Sequence, residues 1–389
     1  MKIAIVHDYI KEFGGAERVL KALCEVYPDA PIYTAFYDKN STAFEHFKDK
    51  KIITSWFQYL PYSAKLASPL RFLTPLIWRS FSFLKFDVVI SSASWYITKG
   101  FGSRQNLNLK FKIKNLKLPV EVCYCHTPPR WLYGYSTSVN FQKYFIVKIY
   151  AAIVGFFLRR YDFNQAQKVN YFIANSEEVK SRIKKFYKRE STVIYPPVSL
   201  PKGNKQETIN KKDYYFIVSR IVGAKGLDLA VETAIKGNFK LKIAGSPAGY
   251  YFEYKKLMDK VHSTSSGQVE FVGQVSDEDL VKLYTGAKAF LALAKDEDFG
   301  ITPVEAMSCG TPVIAFNGGG YKETVINNKT GILFDNYSID GLITAIKEFE
   351  SLRQAQGKQI SEDCIEQAEK FSKERFKNEI KDFVNKVVH

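Results

Sequence analysis

The chain has 389 residues, of which 46% are apolar, 15% aromatic and 25% charged. At roughly 100–200 residues per domain this length predicts two domains or three, and the apolar fraction excludes the disordered and fibrous classes. The net charge is +16, and the excess lies entirely in the first half: residues 1–200 carry 30 Lys and Arg against 14 Asp and Glu, whereas residues 201–389 carry 26 of each sign. The two halves should therefore meet different partners.

The positive charge is concentrated in residues 51–190, which also contain all four tryptophans, namely Trp56, Trp78, Trp95 and Trp131. Basic and aromatic residues that interleave without a long apolar stretch suit the headgroup level of a membrane, so we expect this half to dock on an anionic membrane surface. A buried helix pair with basic rims is the alternative. A nucleic-acid partner ranks lower, because the sequence has no helix-turn-helix, RNP or zinc-finger pattern.

Neither a leader nor a membrane span is predicted. The chain enters a strand-like run at Ile3 without the pattern of a signal peptide. The longest apolar run, residues 144–158, is shorter than the about 20 residues that a helix needs to cross a bilayer. The five cysteines show no C-x-x-C pair and no zinc-ligand spacing, which suits a reducing compartment. We therefore expect a cytoplasmic protein, peripheral on the inner face of the cell membrane.

Short apolar runs separated by helix-like segments recur along both halves, as is typical of buried parallel strands in α/β units. The predicted strands are Ile3–Val6, Val88–Ile90, Val120–Cys125, Tyr171–Ala174, Tyr215–Val218, Leu241–Ala244, Val269–Val272, Ala289–Leu293, Val313–Phe316 and Ile332–Phe334. Ligands of open α/β sheets bind at the carboxyl ends of the strands. The alternation therefore predicts an α/β protein with two Rossmann-like domains that face a central cleft.

The domain boundary is expected at a proline-rich segment. Residues 196–201 contain three prolines, which stop regular structure, and a polar stretch follows as far as Lys212. We assign residues 1–197 to an N-terminal domain and residues 198–369 to a C-terminal domain. The amphipathic tail, at about residues 370–389, is a candidate helix to pack back on the first domain.

A glycine pair follows the first predicted strand. Gly14 and Gly15 precede a helix whose free N–H groups and positive dipole end can hold an anion. The pattern is not G-x-G-x-x-G, so it gives little support to a nicotinamide cofactor. A tight strand–helix turn is the structural alternative.

Two cations lie beside another strand–helix turn. Ser219 and Arg220 follow a strand, and Lys225 precedes the next helix. Two cations that converge on a helix N-terminus would clamp a diphosphate, whereas a pair of solvated surface charges is the alternative. Gly245 and Gly273 end the next two strands, where small residues leave room for a ligand.

An acidic motif follows the strand at residues 289–293. Glu297 and Glu305 flank the flexible Gly300, and carboxylates at a strand end suit hydrogen bonds to sugar hydroxyls. We expect a helix to begin at Thr302–Pro303 with Glu305 completing a capping box, which is the structural alternative for that residue. Asp296–Asp298 also matches a D-x-D metal site, ranked lower because the nearby cation pair can already neutralise a phosphate.

Two further features lie at strand ends. His126 closes the strand at residues 120–125; a lone histidine is more often structural, but its place among other strand-end polar groups makes a role in the cleft an equal alternative. Three glycines, residues 318–320, follow a later strand. They would let a ligand approach the backbone, and a flexible turn is the alternative.

The motifs also occur in a characteristic order. They are Gly14-Gly15-Ala16-Glu17, His126, Asn175-Ser176, Ser219-Arg220 with Lys225, and Glu297-(x7)-Glu305 followed by Ala306-x-x-Cys309-Gly310-Thr311-Pro312-Val313. Together they resemble family 4 retaining glycosyltransferases of the GT-B fold, and the resemblance covers nearly the whole chain. The runs Ile3–Asp8 and Cys123–Pro128 look most like bacterial GDP-mannose-dependent mannosyltransferases of polysaccharide assembly.

The resemblance implies a role for each residue. Arg220 and Lys225 would hold the diphosphate leaving group, Glu297 would bind donor-sugar hydroxyls, Glu305 would bind the ribose, and His126 would sit near the reacting sugar. The residues at the reacting groups would be His126, Arg220, Lys225 and Glu297. The residues lining the donor would be Gly14, Gly15, Ser219, Gly245, Gly273, Phe299, Gly300, Ile301 and Glu305.

The resemblance also implies the partners and the route. The donor would be a nucleotide sugar, with GDP-mannose favoured, the acceptor a lipid-linked glycan or polysaccharide, and no metal or other cofactor would be needed. The resemblance implies a front-face route to retention, in which the donor phosphate assists the acceptor hydroxyl. The sequence itself shows no carboxylate that stands out as the nucleophile of a double displacement. One departure is Val222-Gly223-Ala224, where many relatives carry a proline or an aromatic residue. The competing hypotheses are a non-catalytic nucleotide-sugar or nucleic-acid binding protein and a nicotinamide-dependent oxidoreductase.

Overall fold

The computed structural model describes residues 1–102, 118–137, 145–199, 213–247, 251–264 and 267–388. The chain divides into two compact units. Unit 1 contains residues 1–135, 141–197 and 373–389, and unit 2 contains residues 136–140 and 198–372. The polar stretch expected at the boundary, residues 202–212, lies outside the described residues.

Within the described residues, unit 1 forms a parallel seven-stranded sheet. Its strands are β1 (Ile3–His7), β2 (Ile32–Thr34), β3 (Ile52–Thr54), β4 (Val88–Ala93), β5 (Val120–Cys125), β6 (Tyr171–Ala174) and β7 (Thr192–Val193). They lie in the order β3-β2-β1-β4-β5-β6-β7. The order reverses between β1 and β4, and the crevice outside the carboxyl ends at such a point is where ligands of open sheets bind.

Helices cover this sheet and bury its apolar residues. They are α1 (Gly15–Val26), α2 (Thr42–Glu45), α3 (Ser63–Leu66), α4 (Thr74–Arg79), α5 (Arg130–Tyr133), α6 (Phe145–Ala166), α7 (Glu177–Tyr187) and the last helix of the chain, α15 (Lys373–Val388). The tail helix buries Phe376, Ile380 and Val384, which are spaced four residues apart and share one core with α1.

Unit 2 has the same organisation around a six-stranded parallel sheet. Its strands, as far as the unit is described, are β8 (Tyr214–Val218), β9 (Lys240–Ala244), β10 (Val269–Gly273), β11 (Ala287–Ala292), β12 (Val313–Phe316) and β13 (Gly331–Phe334). They lie in the order β10-β9-β8-β11-β12-β13, so the reversal falls between β8 and β11. The helices are α8 (Leu227–Gly237), α9 (Tyr251–Thr264), α10 (Asp277–Gly286), α11 (Ile301–Ser308), α12 (Tyr321–Thr324), α13 (Ile339–Gln356) and α14 (Gln359–Glu369).

The prediction of two Rossmann-like domains with parallel sheets is confirmed. All the predicted strands are present, with ends within three residues of those expected. Sequence patterns missed the short strands β2, β3 and β7, which have two or three residues each. Runs this short carry no distinctive apolar pattern, so pairing with the neighbouring strand decides whether they form.

Candidate functional site

The cation predicted to open a helix lies on a single 3₁₀ turn before α8. This turn spans Gly223–Lys225, and Gly226 follows it with φ +72°. A Cβ on Gly226 would come within 2.6 Å of the carbonyl oxygen of Leu293, so the close approach to the end of β11 requires glycine. The Lys225 Nζ lies 2.8 Å from Glu297 Oε2. The fold thus brings together two side chains that are 72 residues apart.

Glu297 is held from a second side by Tyr321. The Tyr321 hydroxyl donates to Glu297 Oε2 at 3.4 Å. Burial, with the Glu297 charge as a smaller cause, raises the pKa of the Tyr321 phenol well above its usual value, so it keeps its proton. A cation and a neutral phenol therefore fix this carboxylate at the end of β11. Arg220 follows β8 and is exposed at the neighbouring strand end.

The triple glycine supports this loop from behind. A Cβ on Gly319 would collide with the carbonyl oxygen of Glu297, and one on Gly320 would lie 2.7 Å from the carbonyl oxygen of Asp298 and 2.8 Å from the nitrogen of Phe299. The Gly320 N–H also donates to the Glu297 carbonyl at 2.9 Å. The sequence suggested that these glycines admit a ligand, whereas the structure shows that they admit the backbone of residues 297–299.

The predicted start of the next helix is wrong. Gly300, with φ +93°, precedes α11, which begins at Ile301 rather than at Thr302–Pro303. Glu305 is therefore the fifth residue of the helix and forms no capping box. Instead it is buried, and the Tyr284 hydroxyl donates to its Oε2 at 3.3 Å. The left-handed glycine moved the helix start, because it turns the chain earlier than a threonine cap would.

Gly245 has a packing role at the strand ends. With φ +135° its missing Cβ leaves room for the carbonyl oxygen of Ser219. Its N–H donates to the Gly273 carbonyl at 2.8 Å, so the ends of β8, β9 and β10 are tied together. Gly273, with φ +71°, has no described atom within 4 Å of a built Cβ. Roles for Gly245, Gly273 and Ser219 toward a donor stay predictions.

In unit 1, His126 joins a buried polar chain at the strand ends. Its Nε2 lies 2.8 Å from Ser92 Oγ in β4, and the same Oγ lies 3.0 Å from Nδ1 of His7 at the end of β1. The His7 Nε2 lies 3.5 Å from Glu17 Oε1. His7, Ser92 and Glu17 were not selected as site residues from the sequence, although all of them follow or end predicted strands or lie in the first glycine motif.

The first glycine motif differs in one respect from the prediction. The Gly14 N–H donates to Glu17 Oε2 at 2.9 Å, so this amide is engaged by the protein's own carboxylate rather than left for a phosphate. Gly15 is the first residue of α1, where helical N–H groups have no partner in the helix. Of the two glycines, Gly15 therefore keeps the better position for an anion.

The protonation of His126 predicts a pH dependence of stability. Burial, with the electrostatic influence of His7 as a smaller cause, lowers its pKa from 6.5 to about 3. The folded protein keeps this imidazole neutral while the unfolded chain binds a proton below about pH 6.5, so the free energy of unfolding should fall as the pH drops from about 6.5 toward 3. In urea titrations across this range, His126→Gln should lose stability less steeply than the wild type. His46→Gln, at an exposed position, should keep the wild-type slope, and equal slopes for all three proteins would refute the assignment.

Most of the tryptophans do not lie on the expected surface. Trp78 is buried and its indole N–H donates to the Tyr96 carbonyl at 2.7 Å. Trp95 and Trp131 enclose Arg71, whose guanidinium carbon lies 5.3 and 5.1 Å from their ring centroids. Three of the four tryptophans are therefore packing residues, in line with the alternative of a buried helix pair, whereas Trp56 is 38% exposed.

Exposed apolar residues lie instead on α6. Phe145, Ile149, Ile153, Phe156 and Phe157 are between 46% and 75% exposed, and we call these five residues the α6 face. Their spacing of three, four, seven or eight residues places most of them on one side of the helix. Among the described residues, no helix is both long enough and apolar enough to span a membrane.

The structure also bears on the metal alternative. Within the described ranges, no three His, Cys, Asp or Glu side chains are grouped closely enough to hold a metal ion.

Comparisons with known proteins agree with this architecture. Residues 201–371 match the family described as glycosyl transferases group 1. The mouse alpha-1,3/1,6-mannosyltransferase ALG2 is 26% identical over 96% of this chain and 94% of its own. An uncharacterized glycosyltransferase of Methanocaldococcus jannaschii is 28% identical over 58% of this chain, and the match spans less than two thirds of that protein, 61%.

Solved structures match the whole chain. Anabaena Alr3699/HepE in complex with UDP has a TM-score of 0.73 at 17% identity, covering 99% of this chain and all of that one. The sucrose-phosphate synthase of Thermosynechococcus elongatus has a TM-score of 0.74 at 17% identity, covering 100% and 99%. Identities this low show the fold alone. Residues 201–371 thus match the glycosyl transferases group 1 family, and the chain as a whole has the GT-B fold.

Proposed function

We propose that this chain transfers a hexose, with mannose favoured, from a nucleotide-diphosphate sugar to a lipid-linked or polysaccharide acceptor, with retention of configuration. The observation that carries the proposal is the pair formed by Lys225 and Glu297, 2.8 Å apart at the ends of β8 and β11. A cation suits the diphosphate and a carboxylate suits sugar hydroxyls, so the two recognise both parts of one donor. The name of the mouse relative supports mannose.

The chemistry that these residues can perform is stabilisation of the leaving group. As the bond between the sugar and the diphosphate breaks, negative charge grows on the departing oxygen. Lys225 and Arg220 would meet that charge without reorganisation, which is the most effective form of electrostatic catalysis. We infer that the two cations make a metal unnecessary. We also infer a front-face route to retention, in which the donor phosphate assists the acceptor hydroxyl.

The first property to establish is which nucleotide base the donor carries. HepE binds UDP and UDP-glucose, whereas the sequence resemblance favours GDP-mannose. Ligand-observed NMR with GDP-, UDP- and ADP-sugars, followed by transfer assays to a lipid-linked glycan, would identify the donor. We expect GDP-mannose to bind and to be turned over.

Two variants then test the site itself. Arg220→Ala and Glu297→Ala should both impair sugar transfer. Unimpaired transfer by both variants would refute the assignment of this site. Binding without turnover of any donor would favour a non-catalytic nucleotide-sugar protein. Binding to nucleic acid with a steep salt dependence would instead favour a nucleic-acid binding protein.

We also propose that unit 1 docks on an anionic membrane at the cytoplasmic face. The α6 face supports this, because Lys148, Arg159 and Arg160 are exposed among its apolar residues. The one acidic side chain of α6, Asp162, is buried against Lys99 at 2.5 Å. Tyr150 donates to the Pro69 carbonyl at 2.5 Å and so joins α6 to the segment that exposes Tyr62 and Phe72.

Liposome flotation tests this docking. Phe156→Ser should lower binding to vesicles of anionic lipid about tenfold, because a phenylalanine removed from water contributes about 1.5–3 kcal/mol. High salt should weaken the binding of the wild type, since each basic residue near an anionic surface contributes about 1 kcal/mol. Ile326→Ser, an exposed apolar position in unit 2, is the matched control and should float like the wild type. Binding that ignores lipid charge would contradict the proposal.

A further inference from the structure

We propose that Glu17, His7 and Ser92 act as positioning residues that hold His126 in the Nε2–H tautomer and leave its Nδ1 free to accept a hydrogen bond from a sugar hydroxyl. The nature of that hydroxyl rests on the proposed function. The tautomer itself rests only on contacts within unit 1.

The four side chains form one continuous buried chain. His7 and Ser92 are at most 1% exposed, and Glu17 and His126 are each 8% exposed. Each of these residues lies on a different element: β1, α1, β4 and the turn after β5. The distances run 3.5 Å from Glu17 Oε1 to His7 Nε2, 3.0 Å from His7 Nδ1 to Ser92 Oγ, and 2.8 Å from Ser92 Oγ to His126 Nε2.

The direction of the hydrogen bonds among these four side chains depends on the carboxylate of Glu17. Glu17 lies in the first turn of α1, where the helix dipole favours a negative charge, and it accepts the Gly14 N–H. Its carboxylate can only accept, so it repels a lone pair on His7 Nε2 and attracts an N–H. At 3.5 Å the contact is longer than a hydrogen bond, and among the described residues His7 Nε2 has no hydrogen-bond partner. The carboxylate is therefore what selects the proton position on His7.

The proton position on His7 then determines the proton position on His126 through the Ser92 hydroxyl. In the neutral form of His7, with its one proton on Nε2, the Nδ1 atom is an acceptor, so Ser92 must donate to it. The Ser92 hydroxyl has a single proton, so toward His126 it can only accept. His126 must then present Nε2–H, and its lone pair lies on Nδ1. The reverse direction would place a lone pair of His7 against the Glu17 carboxylate.

His126 is neutral for the reason already given, so it has one N–H and one lone pair to distribute. Among the described residues its Nδ1 makes no hydrogen bond, whereas its Nε2 is engaged by Ser92. A neutral imidazole with a fixed tautomer is a directional acceptor. The other tautomer would offer a donor at the same place. The contacts of Glu17, His7 and Ser92 therefore determine which substrate groups this histidine can recognise.

The test is a two-bond ¹H–¹⁵N spectrum of the full chain labelled with ¹⁵N-histidine, at neutral pH and without substrate. The five histidines are few enough to resolve, and His126→Gln identifies the signals of His126. We expect Nε2–H for His126. An Nδ1–H tautomer, or equal populations of the two, would overturn the proposal.

Two variants of neighbouring serines separate positioning from general damage. Ser92→Ala should convert His126 to a mixture of tautomers and lower kcat roughly tenfold with little change in KM for the donor, the size expected when one hydrogen bond of the transition state is weakened. Ser91→Ala removes an equally buried hydroxyl on the same strand, one that donates to Glu121 Oε1 at 2.8 Å. It should leave the tautomer unchanged.

A third variant keeps the test decisive if Ser92→Ala fails to fold. Glu17→Gln replaces one acceptor oxygen by a donor and should shift His7, and with it His126, toward Nδ1–H. An unchanged His126 tautomer in both Ser92→Ala and Glu17→Gln would overturn the proposal. Because the spectrum needs no substrate, a wild type that holds the Nε2–H tautomer yet transfers no sugar would contradict only the proposed function.

Discussion

Replacing Lys225 by methionine is expected to lower kcat for sugar transfer about 10²–10³-fold, the loss found when one preorganised group that stabilises transition-state charge is removed. The side chain is 31% exposed and lies on a turn fixed by Gly226 rather than by the lysine itself. The fold should therefore survive, and the unfolding midpoint in urea should change little.

The matched control is Lys236→Met. Lys236 lies on α8 of the same unit, and its Nζ also pairs with a carboxylate, Asp340 Oδ1, at 2.6 Å. Both side chains of this ion pair are exposed to solvent. Its kcat should equal that of the wild type. A Lys225→Met enzyme with kcat within twofold of the wild type would show that this cation does not meet the leaving group. Because Lys225 contacts Glu297 directly, the double variant with Glu297→Gln should lose less than the product of the two single losses.

Replacing Gly320 by alanine is expected to impair both stability and transfer. The backbone of Gly320 has φ −71°, which alanine adopts easily, so the effect is steric. The new methyl group would press on the backbone of Asp298 and Phe299, which cannot rotate away. Overpacking of this kind costs about 1–3 kcal/mol. A displacement of about 1 Å at Glu297 would lower activity about 10²-fold.

Denaturant unfolding and donor binding should be measured together for this variant. Gly223→Ala is the stability control, because a Cβ there meets no described atom within 4 Å. Its free energy of unfolding should be unchanged or slightly higher. If Gly320→Ala keeps both stability and the affinity for the donor, the glycines do not support the loop.

The strands were predictable because a buried parallel strand needs a continuous apolar run, and such runs stand out between helices. The first residues of the helices were harder to predict from the sequence. At residues 300–305 the sequence contains a good capping box, and yet Gly300 begins the helix earlier. A local pattern identifies a favourable cap, whereas the packing of Gly300 against Tyr321 decides which of two starts is used.

Exposure was the property that the sequence predicted least well. Residues 144–158 were assessed only as a membrane span, and the tryptophans were taken as surface residues. Whether an aromatic side chain is covered depends on which elements pack over it. Trp78 is covered by the segment around Tyr96, whereas Phe156 on α6 is not covered.

Local sequence patterns were enough to predict the two-sheet α/β architecture and the strand-end positions of His126, Arg220, Lys225 and Glu297, because these follow from apolar runs and from the residues after them. The tertiary structure alone decided which strand ends are neighbours. Lys225 meets Glu297 because β8 pairs with β11, and Ser92 joins two histidines because β4 lies between β1 and β5. Strand order depends on how helices cross the sheet, and such long-range packing leaves no mark on any short stretch of sequence.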